Sequence, residues 1–348
     1  MVERDASDTL DASVVIVTWN GLSHLRRCLP ALADQTGVAF EAIVVDNGST
    51  DGTAEWIAAA YPRAVLKRLE SNHGFSEANN IGFGLAQAQL IATLNNDAVP
   101  DPDWLRSLVR AAREHPESGS FASRIVLDRD PNIIDSAGVV TDVLGIAWDR
   151  HNAEPVGVDA AGEVFGACAG AALYRKAVLD ETEGFDPAFF AYLEDVDLAW
   201  RARWLGWTAR YVPEARVVHA HSATGTEDSP FKTFHLGRNK VWTIAKNHPT
   251  HALLLYGPLL VAYDLASLPI TMARQRNLAA LRGRLAGLRS LSRVLRQRKQ
   301  VASSRRVAWE DIRPFVAGPS WPWEVWRRQQ RLRQAVAGDG SPTSPKAR

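Results

Sequence analysis

The sequence predicts an α/β protein in which a mostly parallel central sheet, flanked by helices, is followed by a helical, basic, amphipathic extension. Short apolar runs alternate with helical patterns through the N-terminal third of the chain, and basic residues cluster after the last strand pattern. The composition, 46% hydrophobic and 23% charged over 348 residues, supplies a sizeable core. These observations exclude global disorder and a collagen-like chain.

Four short apolar runs predict buried parallel strands, because each is bounded by turn-forming residues. They are Val14–Val17, Ala42–Val45, Ala64–Leu69 and Leu90–Leu94. Apolar residues at helical spacing separate these runs, at Ser23–Ala33, Thr53–Ala60 and Ser76–Ala88. Strands and helices in alternation predict right-handed βαβ units.

The middle of the chain is less regular. From Gly119 to Val164 we expect short strands and loops among many Asp, Gly and Pro residues. An amphipathic helix follows from Glu194 to Leu205, then a strand at Tyr211–Val218 and a helix at Phe231–Asn247.

Residues 249–272 are mostly apolar but contain Pro258, Asp264 and Pro269. A membrane-spanning helix needs about 20 consecutive apolar residues, and an acid at its centre is costly. We therefore expect a broken segment that faces a membrane surface or a partner, and not a true membrane span.

The formal net charge of +1 conceals an uneven distribution. Residues 1–272 contain 22 Lys and Arg against 35 Asp and Glu, whereas residues 273–306 contain 11 basic residues and no acid. An acidic body followed by a basic arm points to an anionic surface as partner.

Six leucines of the basic arm recur at intervals of three and four and share one helical face. They are Leu278, Leu281, Leu285, Leu288, Leu291 and Leu295. This pattern predicts a basic amphipathic helix on an anionic membrane surface, and the alternative is a helix packed on the protein's own body. Nucleic acid is not expected as a partner, because a leucine face suits lipid better than a phosphate backbone.

The two cysteines, Cys28 and Cys168, cannot form a disulfide framework and fit a reducing compartment. The N-terminal residues lack the charged and apolar regions of a secretory signal. We expect a cytoplasmic protein bound peripherally to the inner face of the cell membrane.

Polar residues follow all four predicted strands, at the edge where an open parallel sheet binds ligands. Each group alone could be ordinary turn chemistry. The phosphate-binding glycine loops GxGxxG and GxxxxGK[ST] are both missing where they would be expected. A bound nucleotide would therefore be held through carboxylates and a divalent cation, for which Asp97 is a candidate ligand.

Six motifs occur in a specific order between about Ala12 and Pro249: VVIVTWN, VVDNGSTDGT, NHGFSEANNIG, LNND, GFDPAFFAYLEDVDLAWRARWLGW and VVHAHSATG. In these motifs the chain resembles glycosyltransferase family 2, inverting enzymes of the GT-A fold, and within it the rhamnosyltransferase-like branch. The resemblance implies four regions. They are an N-terminal extension 1–11, a GT-A domain 12–248, a helical region 249–336 for membrane association or oligomerisation, and a disordered tail 337–348.

The resemblance also implies a donor site. Its sugar-nucleotide residues would be Thr18, Asn20, Asp46, Ser49, Gly74, Phe75, Asn79, Asn95 and Asn96. Asp97 corresponds to the last acid of the DxD motif, the ligand of Mg²⁺ or Mn²⁺, and Asn95 replaces the first acid. His219 corresponds to the histidine that approaches the metal or the diphosphate, with His221 as the competing choice. Arg238 is a further candidate for the diphosphate.

Glu194 and Asp195 match the family's ED motif, in which the aspartate is the general base. Inverting transfer needs one carboxylate to accept the proton of the attacking hydroxyl. The alternative is that Glu194, Asp195 and Asp197 only favour the start of a helix, which we prefer for Asp197.

The resemblance implies transfer of a sugar from a dTDP or UDP donor, with L-rhamnose from dTDP-L-rhamnose as the leading choice. The acceptor would be a lipid-linked (polyprenyl) or cell-envelope glycan, and a homodimer is compatible with the sequence. Two alternatives remain: a nucleotide-sugar-binding membrane scaffold without turnover, and a sugar-phosphate nucleotidylyltransferase.

Overall fold

The structure is a computed structural model that describes residues 10–220 and 229–337. His221, most of the predicted N-terminal extension and all but the first residue of the predicted disordered tail lie outside the described residues.

The described strands run in the following order: β1 Ala12–Thr18, β2 Phe40–Asp46, β3 Val65–Arg68, β4 Leu90–Leu94, β5 Ala98–Pro100, β6 Ser118–Leu127, β7 Ile134–Ser136, β8 Val139–Asp142, β9 Ala147–Asp149, β10 Gly162–Val164, β11 Ala171–Arg175, β12 Thr208–His219 and β13 Val316–Ala317. The four predicted N-terminal strands are all present, each to within a couple of residues.

The described α-helices are α1 Leu22–Ala33, α2 Thr53–Ala60, α3 Gly74–Leu85, α4 Trp104–Glu114, α5 Lys176–Thr182, α6 Glu194–Trp204, α7 Pro230–Asn247, α8 Thr250–Gln275, α9 Ala279–Arg289, α10 Leu291–Ser304, α11 Trp309–Ile312 and α12 Pro322–Ala337.

The central sheet has the strand order β10-β12-β6-β11-β4-β1-β2-β3. Strands β1 to β4 are parallel neighbours, and β11 is inserted antiparallel between β4 and β6. Val14 and Ile16 pack into one core cluster and Val15 into another, so both faces of β1 are covered. This two-sided burial explains the continuous β-branched runs. The pairing also places Thr18 beside Asp46, where β1 and β2 end.

The irregular middle of the chain contains one strand that its sequence pattern does not reveal. Strand β6 spans ten residues and pairs with both β11 and β12. Nearby, β8, β9 and β13 form a second, three-stranded sheet, in which β13 comes from the C-terminal region. The C-terminal region is therefore joined to the body by backbone pairing.

The expectation of a broken segment over residues 249–272 is wrong. Thr250–Gln275 forms one continuous helix with Pro258 and Pro269 inside it. The charge of Asp264 is neutralised, because its carboxylate accepts hydrogen bonds from Lys240 on α7 at 3.2 Å and from Arg284 on α9 at 2.6 and 3.0 Å. Among the described residues, α8 is the one helix long and apolar enough to cross a bilayer, with a mean hydropathy of 1.6 in its most apolar window.

The predicted leucine stripe is interrupted and exposed. The basic arm forms two helices, α9 and α10, that meet at Ser290. The buried face of α9 consists of small residues, Ala279, Ala280, Gly283 and Gly287. The helix therefore packs on α7 through this face, while Leu278, Leu285, Leu288 and Leu295 stay exposed to solvent.

We predict that Gly283→Ala lowers the free energy of unfolding by about 1–3 kcal/mol, because a Cβ there would overlap the carbonyl oxygen of Phe234 on α7. Gly257→Ala is the matched control, since a Cβ at that helical position meets nothing nearby and alanine should stabilise the helix by about 0.5–1 kcal/mol. Urea unfolding followed by circular dichroism measures both. Equal stability of the two variants would contradict the close packing of α7 and α9.

Candidate functional site

The ends of β1, β2 and β4 bring the first predicted site residues together. Thr18 is buried at the end of β1, and its hydroxyl accepts a hydrogen bond from Asn96 Nδ2 at 3.0 Å. The backbone of Asn95 is held by a hydrogen bond, which its amide donates to the Gly170 carbonyl at 2.8 Å. The loop that follows β4 is thereby held against the edge of the sheet.

Asp46 is fully buried at the end of β2. Its Oδ1 accepts a hydrogen bond from the Ser49 amide at 3.0 Å, whereas its Oδ2 accepts none from the described residues. The Arg68 guanidinium lies 3.8 Å from that Oδ2. A buried carboxylate oxygen without a hydrogen-bond donor can accept one from a ligand.

Asn20 links the first two loops in a left-handed backbone conformation, with φ of 50°. Its amide donates to Ser49 Oγ at 2.8 Å, and its side-chain oxygen accepts from the Thr50 amide at 2.8 Å. Asn20 and Ser49 therefore act as one unit that shapes the edge of the site.

The third loop is held by Asn47, which follows the second predicted strand within the motif VVDNGSTDGT but is not among the predicted donor residues. Its Nδ2 donates to Asn72 Oδ1 and to the Gly74 carbonyl, and its Oδ1 accepts from the His73 amide. Gly74 has φ of +83°, and a side chain there would overlap the ring and carbonyl of Phe190. The amide of Phe75 donates to that same carbonyl at 2.6 Å.

The start of α3 thus lies directly against the loop that precedes the predicted base. Asn79 is buried in α3, and its Nδ2 donates to the Phe75 carbonyl at 2.9 Å. In this arrangement Asn79 supports the first turn of α3, which begins at Gly74.

Asp97 forms a chain of contacts with two residues from other strands. His219 Nε2 lies 3.2 Å from Asp97 Oδ1, and His219 Nδ1 lies 2.7 Å from Asp135 Oδ2. These two carboxylates raise the pKa of His219 to about 10, against the opposing effect of burial. Asp135 was not among the predicted site residues, because it lies in the irregular middle of the chain.

Among the described residues, the carboxylate of Asp97 is suited to bind a divalent cation. Asp97 offers a carboxylate at a strand end, and Mg²⁺ or Mn²⁺ commonly completes its shell with water and substrate phosphate. Among the described residues, no group of three or more His, Cys, Asp or Glu side chains is arranged to hold a metal ion. His219 uses both ring nitrogens for carboxylates, so its predicted metal role would require the contact with Asp97 to open.

Glu194 and Asp195 lie at the first turn of α6, after a loop in which Phe190, Tyr192 and Leu193 all have positive φ. The carboxylate of Asp195 accepts hydrogen bonds from the Ala169 amide at 3.2 Å and the Val196 amide at 2.8 Å. Glu194 Oε2 is buried without a hydrogen-bond partner among the described residues.

Burial raises the pKa of both members of this pair. The pKa of Glu194 rises to about 8, first through burial and then through the charge of Asp195. Burial also raises the pKa of Asp195, against the amide hydrogen bonds that it accepts. At neutral pH Glu194 therefore favours its protonated form.

Asp197 differs from these two acids. It is fully buried. Its carboxylate accepts hydrogen bonds from Lys246 Nζ at 3.0 Å, Arg201 Nε at 2.8 Å and Asn247 Nδ2 at 2.8 Å. This surrounding of donors supports the preferred interpretation of Asp197 as a structural acid.

Arg238 lies against the loop before the predicted base. Its guanidinium donates to the carbonyls of Ala188 at 3.1 Å and Phe189 at 2.7 Å and lies over the Trp242 ring at 4.4 Å. Arg238 therefore supports this loop, and its role at the diphosphate stays a prediction.

Asn239, the next residue on α7, has a similar role that sequence reasoning missed. Its Nδ2 lies within 3.1 Å of three carbonyls in the same loop, those of Phe189, Ala191 and Tyr192. Helix α7 thus holds the backbone that leads to Glu194.

Asp149, on β9, is a second acid near the base that the sequence did not reveal. Burial raises its pKa to about 6, with a further contribution from the charge of Asp135. The charge of Asp195 also acts on it. Asp149 therefore interacts with two further carboxyl groups, those of Asp135 and of Asp195, the predicted base.

We predict that the buried Glu194 makes stability fall as pH rises. Its pKa is raised from 4.5 when unfolded to about 8 when folded, so the folded state holds a proton that the unfolded state releases in this range. Glu194→Gln should flatten the dependence, gaining about 2–4 kcal/mol relative to wild type between pH 5 and 8.

The measurement is the urea-unfolding midpoint as a function of pH, with Glu70→Gln at an exposed position as the matched control. Parallel profiles for wild type and Glu194→Gln would contradict a buried, protonated Glu194.

Comparison with known proteins identifies relatives of this chain. A sequence profile described as glycosyl transferase family 2 matches residues 13–182. The N-acetylglucosaminyl-diphospho-decaprenol L-rhamnosyltransferase of Mycobacterium tuberculosis is 30% identical over 257 residues, which cover 62% of this chain and 78% of that protein. The pre-mycofactocin glycosyltransferase of the same organism is 29% identical over 282 residues, 79% of this chain and 57% of that protein.

Two solved structures share the fold. S. aureus TarS 1–349 superposes with a TM-score of 0.52 at 17% identity, covering 94% of this chain and 90% of that one. The mannosyltransferase PcManGT from Pyrobaculum calidifontis, solved with GDP-Man and Mn²⁺, superposes with a TM-score of 0.51 at 18% identity, covering 98% and 90%. The expected α/β fold with its helical extension is thereby confirmed, and the chain belongs to glycosyltransferase family 2, in its rhamnosyltransferase-like branch.

Proposed function

We propose that this glycosyltransferase inverts the anomeric centre, with Asp195 as the general base. The observation that carries the proposal is the position of Asp195. Its carboxylate is held at the start of α6 by two backbone amides, and its pKa is raised by burial. A raised pKa brings a carboxylate closer to the pH at which a general base is most effective.

In the proposed reaction the acceptor hydroxyl attacks the anomeric carbon from the face opposite the leaving nucleoside diphosphate. The proton of that hydroxyl passes to Asp195, and the electron pair of the broken bond leaves with the diphosphate. The protonated Glu194 keeps a second negative charge away from the base.

We propose a donor with a uracil or thymine base, and L-rhamnose from dTDP-L-rhamnose as the transferred sugar. Both bases carry a ring N–H that can donate to a carboxylate, and Asp46 Oδ2 is buried without a hydrogen-bond donor among the described residues. The L-rhamnosyltransferase relative supports the choice of sugar. Its name also supports a sugar-diphosphate-polyprenol as the acceptor.

We propose Mg²⁺ or Mn²⁺ as the cofactor, with Asp97 as its protein ligand. When bound, the cation would neutralise charge on the leaving diphosphate. Mn²⁺ in the structure of the mannosyltransferase neighbour supports this proposal.

Family membership favours glycosyl transfer over nucleotidyl transfer. A scaffold without turnover remains distinguishable by experiment, since it would bind a nucleotide sugar and transfer nothing to any acceptor.

We predict that Asp195→Asn lowers kcat by about 10²–10⁴-fold while the dissociation constant of the donor stays within a few-fold of wild type. Asparagine keeps one oxygen for the amide hydrogen bonds but cannot take a proton. Transfer from dTDP-L-rhamnose to N-acetylglucosaminyl-diphospho-decaprenol measures kcat, and calorimetry measures donor binding.

Asp180→Asn, on the exposed side of α5, is the control for this exchange. Unchanged turnover of Asp195→Asn would remove Asp195 from the role of base.

We propose that the enzyme binds peripherally to an anionic membrane on the cytoplasmic side, and that α8 contributes most of the contact. One side of α8 packs on the body through Tyr256, Leu260 and Tyr263. The other side exposes large apolar residues: Leu254, Leu255, Leu259, Val261, Leu265 and Ile270. The exposed leucines of α9 and α10 extend this apolar surface, and arginines of residues 273–306 supply positive charge.

We predict that Leu255→Glu with Leu265→Glu lowers the fraction that floats with phosphatidylglycerol liposomes by at least tenfold, since each leucine is more than 60% exposed and its burial in lipid is worth about 1–2 kcal/mol. Leu85→Glu, at an exposed apolar position on α3, is the control.

Alkaline carbonate should release the wild-type protein from these liposomes. Resistance to carbonate would contradict peripheral binding and indicate a spanning helix. A stable dimer in solution that buries the face and does not float would assign it to a second copy of the chain.

A further inference from the structure

An apolar groove of about 260 Å³ lies between α8 and the segment that leads into α12. Leu259 and Tyr263 of α8 form one wall, and Leu144 contributes from the turn between β8 and β9. Residues 319–323, with sequence PSWPW, form the other wall. The rings of Trp321 and Trp323 are stacked, with centroids 5.3 Å apart and planes 2° apart.

Strand pairing and hydrogen bonds to the backbone hold the walls of the groove in place. Strand β13 pairs with β8 and delivers residues 319–323 to their place. The buried carboxylate of Asp142 joins the two walls, because its Oδ1 accepts from the amides of Leu144 and Ile146 and its Oδ2 accepts from the Ser320 amide at 3.0 Å. The aromatic wall is therefore positioned before any ligand arrives.

A cation lies next to the groove. Arg328 Nη2 donates to Ser320 Oγ at 2.9 Å, and the guanidinium stacks 3.8 Å from the centroid of Trp148. Among the residues that the structure describes, Arg328 forms no ion pair within 4.0 Å. The charges of Asp142 and Glu324 act on it from a longer distance, so its guanidinium can still pair directly with an anionic ligand.

The same contacts lead to the proposed base. Trp148 precedes Asp149 on β9, and Asp149 lies close enough to Asp195 for their charges to interact. Val196, beside the base, belongs to the same hydrophobic cluster as Leu144, Tyr263 and Leu260. The groove therefore shares Ser320 with Arg328, and a hydrophobic cluster connects its residue Leu144 with Val196, the residue after Asp195.

We infer that this groove binds the isoprenoid tail of a polyprenyl diphosphate-linked acceptor, with Arg328 on its diphosphate and Asp195 at its sugar hydroxyl. The inference rests on the proposed function and specifies how the acceptor is held. An apolar groove with a cation beside it matches an apolar chain that ends in two phosphates, which supports the inference.

Photolabelling tests binding without turnover. The full-length Asp195→Asn protein is irradiated with a benzophenone-bearing isoprenoid diphosphate, and the labelled peptides are mapped by mass spectrometry. We expect label in residues 319–323 or in the Leu259–Tyr263 turn of α8, and competition by decaprenyl diphosphate but not by phosphatidylglycerol. Label elsewhere, or equal competition by phosphatidylglycerol, would overturn the inference.

Kinetics of the otherwise wild-type enzyme provide the second test. N-acetylglucosaminyl diphosphate acceptors with a decaprenyl or a short alkyl tail are compared. We expect Trp323→Ala to reduce the preference in kcat/KM for the long tail by about tenfold, about 1.4 kcal/mol. Trp326→Ala, equally exposed on α12 but outside the groove, should keep the wild-type preference.

Arg328→Gln should raise KM for both acceptors, since both carry the diphosphate. An unchanged tail preference in Trp323→Ala would overturn the groove assignment even if the enzyme is active. Absence of transfer by the wild-type enzyme would instead count against the proposed function, and the photolabelling result would still decide the groove.

Discussion

A buried ammonium group connects the helix that carries the proposed base with the C-terminal helices. Lys246 Nζ lies 2.7 Å from Asp186 Oδ2 and 3.0 Å from Asp197 Oδ2, and all three side chains are nearly inaccessible to solvent. Gln297 of α10 donates to the same Asp186 oxygen. Buried ion pairs add little net stability, but removing one partner costs about 3–5 kcal/mol, so the arrangement specifies position strongly. It fixes the start of α6 relative to α7, and α7 in turn holds the loop before the base.

The basic arm, residues 273–306, also makes contacts within the protein. Several of its arginines use their charge within the protein: Arg284 pairs with Asp264, Arg298 donates to the carbonyls of Ala245 and His248, and Arg305 stacks over Trp204 at 3.7 Å. The excess of positive charge in residues 273–306 therefore serves docking onto the acidic body as well as any external anion. Small residues let α9 approach α7 closely, which is why its leucines are left facing outward.

The parts of the structure that could be predicted are those determined by residues close to one another in the sequence. Strands β1 to β4 follow from β-branched runs, and Thr18 and Asp46 follow from the rule that parallel strands end at one edge. Asn239, Asp135 and Asp149 act through partners far away in the chain, so no spacing reveals them. The error at α8 has a physical reason too: Pro258 and Pro269 each remove one helical hydrogen bond, which a long helix tolerates, and the charge of Asp264 is compensated by residues on other helices.

The donor and acceptor sides of the proposed site differ in the same way, since one depends on short motifs and the other on contacts between distant parts of the chain. The proposed donor side is built from the loops that follow β1, β2, β3 and β4, where short motifs fix backbone geometry, as at Asn20 and Gly74. The proposed acceptor side is built from β9, α6, α8 and residues 319–323, and the pairing of β13 with β8 brings the last of these to the others. A change of acceptor can therefore arise from small changes in α8 or near Trp321 without disturbing the motifs that bind a nucleotide sugar. The motifs that carry the family resemblance all end before α8, whereas α8 and residues 319–323, which we propose to hold the acceptor, come after the last of them.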